Sequence, residues 1–241
     1  MLTSDKTITP NTVEAINACK TKGMFIGYIT ARARPFRDKV FIIEEYNLPC
    51  DFIAYYNGAE IYTGDVSIES NLIPYDHAMK IIFGVVEKYP NAKIGVIHEP
   101  WSYLKGEIWN IITGEKKKCT LSELPRFDVQ RIRIQAEDIN LNDFMTEETI
   151  FFVTNDGTAI ILNKNATKEH ALIKASEYFN IPLADIIAFG DDINDMNMLK
   201  IAGTGVAMGN ALDSVKEIAD FITENNDNEG ISIWINKYIL N

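Results

Sequence analysis

The chain has 241 residues, of which 46% are hydrophobic, and its formal net charge is −11. This length fits one large α/β domain or a core with an inserted domain. The acidic balance argues against nucleic acid or an anionic membrane as a partner. Apolar runs such as residues 81–86 are too short to span a membrane, and residues 1–5 do not resemble a signal peptide. Cys19, Cys50 and Cys119 show no metal-ligand pattern, which predicts reduced thiols in the cytoplasm.

The first sixty residues alternate between helix and strand patterns, as expected for a parallel sheet covered by helices. Thr9 followed by Pro10 predicts the start of a helix, and Gly23 predicts its end. The other elements predicted in this part are strands over residues 24–29 and 52–55 and a helix over about 36–46.

The middle of the chain shows short strands instead. Residues 129–135 alternate polar and apolar side chains, which is typical of a half-exposed antiparallel strand. Asn-Asp-Gly at 155–157 predicts a hairpin turn, and the basic run Lys116–Lys118 is interpreted as a solvated loop rather than an anion site. The similar segments are 93–98, 107–112, 149–154 and 158–162, with one helix predicted over 76–89. We therefore predict a cap domain over 62–161, inserted into a core that comprises 1–61 and 162–241.

The last part of the chain returns to alternating helix and strand. A helix is predicted from about Thr167, because Ala171, Leu172, Ala175 and Phe179 form one apolar stripe. The remaining predicted elements are a strand over 186–189 and helices over 196–202, 213–218 and 231–239.

The most informative segment is 189–199, Phe-Gly-Asp-Asp-Ile-Asn-Asp-Met-Asn-Met-Leu, directly after a buried strand pattern. Gly190 permits a tight turn at the strand end. Asp191 and Asp195 lie four residues apart, so a loop entering a helix can aim both carboxylates at one point. A cation is needed between two such groups, and hard oxygen ligands suit Mg²⁺. The alternative is that Asp191 and Asp192 cap the helix, but the complete motif favours the metal site.

Together these segments resemble the haloacid dehalogenase superfamily, specifically the Cof-like phosphatases with a large α/β cap. The matching segments are 2–8, which resembles the stretch just after the first motif, 29–32 for the second motif, 57–59 for the start of the cap, 166–172 for the third, 190–199 for the fourth, and the closing segments 205–211 and 219–223. The resemblance implies an α/β fold, with a Rossmannoid parallel-sheet core and an inserted α+β cap. It also implies Mg²⁺-dependent hydrolysis of a small phosphorylated metabolite through an aspartyl-phosphate, with a sugar phosphate as the first candidate substrate.

The resemblance assigns catalytic and metal-binding roles to four residues. Thr30 would donate a hydrogen bond to the phosphate, and Lys168 would neutralise the phosphate and the attacking carboxylate. Asp191 and Asp195 would hold Mg²⁺. Lys168 is also unusual on physical grounds, because a cation in the first turn of a helix faces the positive end of the helix dipole.

Further substrate contacts are implied beside Thr30 and Lys168. Asn57 would meet the substrate at the hinge, and Asn194 would orient the phosphate or a metal-bound water. Arg32 would contact substrate, or it belongs to a solvated helix start; the residues favour neither. His98 and Trp101 are candidates for specificity in the cap.

One family motif has no counterpart in these residues. The family's nucleophile lies in Asp-x-Asp-Gly-Thr, on a central strand directly before the segment that here begins at Leu2, and Asp5 lies beyond that position. We therefore expect either a gap or a rearrangement between the strand ending at Thr30 and the strand ending at Phe189, and very low activity for these 241 residues. Two alternative functions are a catalytically dead protein that binds phosphorylated ligands and a phosphosugar mutase.

Overall fold

The computed structural model describes residues 1–34, 42–104, 106–110, 113–154 and 156–241. Its helices are α1 (Pro10–Thr21), α2 (Ile42–Glu45), α3 (Tyr75–Lys88), α4 (Lys168–Phe179), α5 (Met196–Ile201), α6 (Asp213–Lys216) and α7 (Gly230–Ile235), which continues as a π-helical turn over Asn236–Leu240. Its strands are β1 (Gly27–Ile29), β2 (Phe52–Tyr55), β3 (Glu60–Thr63), β4 (Val66–Ser70), β5 (Lys93–His98), β6 (Trp101–Leu104), β7 (Glu107–Asn110), β8 (Lys116–Lys118), β9 (Arg131–Gln135), β10 (Thr149–Val153), β11 (Ala159–Asn163), β12 (Ile187–Gly190), β13 (Thr204–Ala207) and β14 (Phe221–Ile222).

The first helix of the core begins and ends where the sequence signals predict. Thr9 caps α1, because its side-chain oxygen accepts the Thr12 N–H at 3.3 Å, and Pro10 is the first helical residue. Gly23 follows the helix end with φ +85°, a conformation that suits glycine. Of the helix predicted over 36–46, positions 36–41 lie outside the described residues. The part that is described forms α2. Residues 111–112 of another predicted element also lie outside them.

Within the described residues, the core contains two separate sheets. In the first, β1 and β2 pair in parallel, with Gly27 opposite Phe52, and the antiparallel hairpin of β3 and β4 extends it. In the second, β12, β13 and β14 run parallel. The β3–β4 hairpin extends this sheet to Ser70, past residue 62, and the predicted boundary between core and cap at that residue stays a prediction. The alternation that marks these strands is the same in a core edge and in a cap.

A cleft separates the two core sheets. No ladder joins β1 to β12 among the described residues, and a cavity of about 680 Å³ lies between them. That volume is far larger than the space of one water molecule, whereas packed cores contain few voids above that size. Its walls are largely apolar, formed by β1, β12, α1, α4 and α7. We call this cavity the strand cleft; it is the gap expected between the two strands.

The cap is a seven-stranded antiparallel sheet with the order β10-β11-β9-β5-β6-β7-β8. Its apolar core contains Ile81, Ile82 and Val85 of α3, packed against Ile132 and Ile134 of β9. The expected hairpin pairs β10 with β11, although Asn155 of its turn lies outside the described residues.

The basic run differs from its predicted loop structure. Lys116–Lys118 form the exposed edge strand β8, where the Lys116 ammonium lies 5.5 Å from the ring centre of Trp109. Charged side chains on an edge strand protect its free edge from pairing with other chains. None of the helices in the described part of the chain has the length and apolar character needed to cross a bilayer.

Candidate active site

Three predicted site residues meet at the carboxyl edge of the core strands. Thr30 follows β1, and Asn57 lies in the turn after β2. The Asn57 N–H donates to the Thr30 carbonyl at 2.8 Å, and the Asn57 side-chain oxygen accepts from Asn194 Nδ2 at 3.2 Å. Ligands of parallel α/β sheets bind at this edge, so these side chains lie where such folds bind ligands, and their contact with a phosphate stays a prediction.

Lys168 and Asp195 form a buried ion pair at the same edge. Lys168 is the first residue of α4, which Thr167 caps by accepting the His170 N–H at 3.2 Å. The Lys168 Nζ lies 2.5 Å from Asp195 Oδ1, and the two side chains are 11% and 4% exposed. The misfit of Lys168 with the helix dipole is therefore offset by a buried carboxylate.

Asp195 also organises the loop after β12. Its Oδ2 accepts the N–H groups of Asp191 and Asp192, both at 3.1 Å. Gly190 makes room for this, because a Cβ at that position would lie 2.5 Å from the Asp195 Cβ. Both oxygens of Asp195 thus have hydrogen-bond partners, which fix the orientation of this carboxylate. The contacts favour Asp195 as a positioning residue, and its role as a metal ligand stays a prediction.

The sequence left two roles open for the aspartates of this loop, helix capping and metal binding, and the contacts favour a different aspartate for each role. Asp192 Oδ1 accepts the Ile193 N–H at 2.7 Å, which is the capping contact. Asp191 is exposed, and its Oδ2 accepts from Asn210 Nδ2 at 3.2 Å. Asp191 therefore remains the better candidate for a metal ligand.

The oxygen donors of the loop after β12 are of the kind that Mg²⁺ binds. Asn194 Oδ1 is buried and has no hydrogen-bond partner in the described residues, and amide and carboxylate oxygens are the hard donors that Mg²⁺ prefers. No group of three His, Cys, Asp or Glu side chains that could hold a metal occurs in the described ranges. An Mg²⁺ ion here would consequently keep several waters or substrate oxygens as ligands.

The strand cleft opens at this site. Thr30, Lys168 and Asp191 line the same cavity as Met1. Burial lowers the pKa of the Met1 amino group, while the charges of Asp191 and Asp195 act in the opposite direction.

Arg32 contributes to the site through its backbone. Its N–H donates to Thr30 Oγ1 at 3.1 Å and its carbonyl accepts the Tyr56 N–H at 3.0 Å. The side chain is exposed and borders the cavity, so its predicted substrate contact stays a prediction. Position 37, which holds a neighbouring arginine, lies outside the described residues.

Sequence reasoning missed a polar cluster between core and cap. Tyr56 donates a hydrogen bond to Glu99, and the Arg131 guanidinium lies 5.0 Å from the Tyr56 ring centre. Burial raises the pKa of Glu99 to about 7, and burial with the Glu99 hydrogen bond raises the pKa of Tyr56. These residues come from three distant segments without a shared motif, so no sequence signal marked them.

The two cap residues considered for specificity have other contacts. His98 stacks on Phe127 at 4.1 Å between ring centres, and its Nδ1 lies 2.6 Å from the Asp128 carbonyl. The Trp101 ring centre lies 5.7 Å from the ammonium of Lys117. Their part in specificity stays a prediction.

A sequence profile described as haloacid dehalogenase-like hydrolase matches residues 1–235. The chain belongs to this family. The match covers the segments that form the site and confirms the resemblance drawn from the motifs.

Two curated relatives match over nearly their whole length. The chain is 28% identical over 256 residues to the 5-amino-6-(5-phospho-D-ribitylamino)uracil phosphatase YitU of Bacillus subtilis (strain 168), covering 99% of this chain and 93% of that protein. It is 28% identical over 244 residues to YcsE of the same organism, a phosphatase named for the same substrate, covering 100% and 92%.

Solved structures share the fold. BT1666 from Bacteroides thetaiotaomicron, described as a phosphatase of the haloalkanoate superfamily, superposes with a TM-score of 0.82 at 21% identity, covering 98% of this chain and 90% of that one. The subclass IIB sugar phosphatase BT4131 gives 0.79 at 22% identity, covering 98% and 94%. The predicted fold class, a parallel-sheet core with an inserted α+β cap, is therefore confirmed.

Proposed function

We propose that the residues of the candidate active site form the phosphate- and magnesium-binding part of a phosphomonoesterase. Its substrate is a small phosphorylated metabolite, and a sugar phosphate is the first candidate. The observation that carries this proposal is the buried Lys168 ammonium at the carboxyl edge of the core strands, fixed by Asp195 beside Asp191 and Thr30. Two relatives that span the whole chain are named as phosphatases of a ribityl phosphate compound, which supports the substrate class.

Each residue would contribute one interaction with the phosphate. The Lys168 ammonium offsets its negative charge, and the Thr30 hydroxyl, whose oxygen already accepts the Arg32 N–H, can donate its proton to a phosphate oxygen. Asn57 and Asn194 present amide groups that hold each other in place. Mg²⁺ held by Asp191 and Asn194 would supply further stabilisation of the charge on the phosphate.

We further propose that the covalent step depends on a strand that lies in the strand cleft. A carboxylate of that strand would attack phosphorus as the bond to the leaving alcohol breaks, and water would then hydrolyse the aspartyl-phosphate to release phosphate. The apolar walls suit such a strand, and the free edges of β1 and β12 offer backbone groups for pairing. Its carboxyl end would lie beside Lys168. Without that carboxylate, electrostatics and binding give only a small residual rate.

The cleft also favours a second candidate function. If no reactive carboxylate lies in the cleft, Lys168, Thr30 and Asp191 would bind a phosphorylated ligand without hydrolysing it. Both functions require Mg²⁺-assisted phosphate binding, and only the first requires turnover.

Calorimetric titration with inorganic phosphate, with and without Mg²⁺, tests the shared part. We expect phosphate binding that is strengthened by Mg²⁺ and that loses this enhancement in Asp191→Asn but not in Asp192→Asn. Phosphate binding that ignores Mg²⁺ and both substitutions would contradict the assignment. Release of phosphate from sugar phosphates then separates the enzyme from the binding protein.

A further inference from the structure

The turn between β2 and β3 has an unusual backbone. Tyr56, Asn57 and Gly58 all have positive φ angles, of 51°, 63° and 113°. A Cβ at Gly58 would lie 2.8 Å from the Thr167 carbonyl oxygen, so the backbone packs directly against the residue before Lys168. Non-glycine residues in this region cost free energy and persist only where surrounding contacts fix them. The contacts that fix this turn therefore indicate its role.

One side of the turn contacts the phosphate site. The Tyr56 N–H donates to the Arg32 carbonyl at 3.0 Å, and the Asn57 N–H donates to the Thr30 carbonyl at 2.8 Å. The Asn57 side chain, 4% exposed, accepts from Asn194. A change in the backbone of this turn would move Asn57 relative to Thr30 and Asn194.

The Tyr56 side chain points the other way, into the cap. It is 1% exposed, its hydroxyl donates to Glu99 in the connection between β5 and β6, and Arg131 at the start of β9 stacks on its ring. The Glu99 N–H donates to the Gln130 side chain at 3.1 Å, and Gln130 Nε2 donates to Glu60 Oε1 at 3.2 Å. These contacts join the cap to the first residues after the turn.

We propose that Tyr56 is a positioning residue that couples the cap to the phosphate site: its hydrogen bond to Glu99 holds the strained turn so that Asn57 faces Asn194. The phosphate part of this inference rests on the proposed function. Movement of the cap away from the core separates Glu99 from Tyr56, the turn relaxes, and Asn57 leaves its position. Because such coupling is reciprocal, a ligand held by Asn57 and Asn194 stabilises the cap contact in return.

Two properties of the cluster suit this role. Arg131 Nε and Glu60 Oε2 are buried without a hydrogen-bond partner among the described residues, so the contact leaves polar groups that water would satisfy once the cap opens. The charged groups that face Glu99 are Glu60, Arg34 and Arg131. The contact between Tyr56 and Glu99 therefore lies among buried charged groups that are not all hydrogen-bonded within the described residues.

Tyr56→Phe tests the proposal, because it removes the hydroxyl and keeps the ring under Arg131. Hydrogen exchange followed by mass spectrometry reports on the amides of the turn. We expect the 56–58 amides to exchange about tenfold faster in Tyr56→Phe, equivalent to about 1.4 kcal/mol, with exchange in β13 unchanged. Glu99→Ala should reproduce this effect, and Glu99→Gln, which keeps an acceptor, should restore slow exchange. The double variant Tyr56→Phe/Glu99→Ala should be no worse than either single variant.

Titration with inorganic phosphate provides the second readout. The affinity for phosphate should fall several-fold in Tyr56→Phe and Glu99→Ala but not in Glu99→Gln. Unchanged exchange at 56–58, or equal acceleration in β13, would overturn the coupling. Faster exchange at the turn with unchanged phosphate affinity would overturn its link to the site. If the parent chain binds no phosphate, the proposed function fails, whereas the exchange experiment still decides whether Tyr56 holds the turn.

Discussion

Replacing Lys168 with methionine should strongly destabilise the fold. The substitution keeps an apolar stem and removes the ammonium 2.5 Å from Asp195 Oδ1, leaving a carboxylate that is 4% exposed without its counter-charge. Breaking a buried pair in this way costs about 3–5 kcal/mol. Because the other Asp195 oxygen keeps two backbone N–H donors, we expect the lower end, about 3 kcal/mol of unfolding free energy. The sequence alone suggested a lysine that acts on the phosphate, without indicating its buried ion pair.

Urea unfolding followed by tryptophan fluorescence measures this loss, provided that the slope m is unchanged. Lys174→Met is a matched control on the same helix, because Lys174 pairs with Glu69 and Glu177 at the surface and such screened pairs contribute little to stability. Neutralising the partner as well, in Lys168→Met/Asp195→Asn, should restore part of the stability. A Lys168→Met loss as small as the control's, or strictly additive effects in the double variant, would refute the ion-pair reasoning.

Three further predictions concern single sites. Asp191→Asn should weaken Mg²⁺ binding, measured by calorimetry, far more than Asp192→Asn, because Asp192 is used in capping; equal effects would contradict the metal assignment. Gly58→Ala should lower the urea midpoint by the equivalent of about 1–3 kcal/mol, since its Cβ would lie 2.8 Å from the Thr167 carbonyl at φ +113°; an unchanged midpoint would contradict the close packing. Burial raises the Glu99 pKa from 4.5 to about 7, so the folded state disfavours the ionised carboxylate. The parent should therefore lose stability relative to Glu99→Gln as the pH rises from 4.5 to about 7. Unfolding free energies that change in parallel with pH for the two proteins would contradict this prediction.

The sequence predicted the elements that have strong local signals. The Thr9-Pro10 start of α1, the Thr167 cap before Lys168 and the turn at Gly190 all depend on neighbouring residues, so they can be read without tertiary contacts. The partners of the Asp195 carboxylate, which are the Lys168 ammonium and the N–H groups of Asp191 and Asp192, cannot be predicted from spacing because Lys168 lies 27 residues away.

Other features depend on tertiary placement. Lysine is depleted in strands, so Lys116–Lys118 suggested a loop, but β8 is an edge strand, where lysine is favoured. The hairpin of β3 and β4 alternates like a cap strand and pairs with the core. The contact of Tyr56 with Glu99 joins segments 43 residues apart and follows only from the fold.

The most direct test of the proposed phosphatase is hydrolysis of sugar phosphates by this chain with and without a strand for the cleft. An apolar strand ending in Asp-x-Asp-Gly-Thr is joined ahead of Leu2, and a control carries Asn in place of its first Asp. We predict Mg²⁺-dependent phosphate release by the extended chain only, with a higher urea midpoint for both extended forms because the cleft is filled. Equal hydrolysis by the unextended chain, or by the Asn control, would contradict the account and place the nucleophile elsewhere.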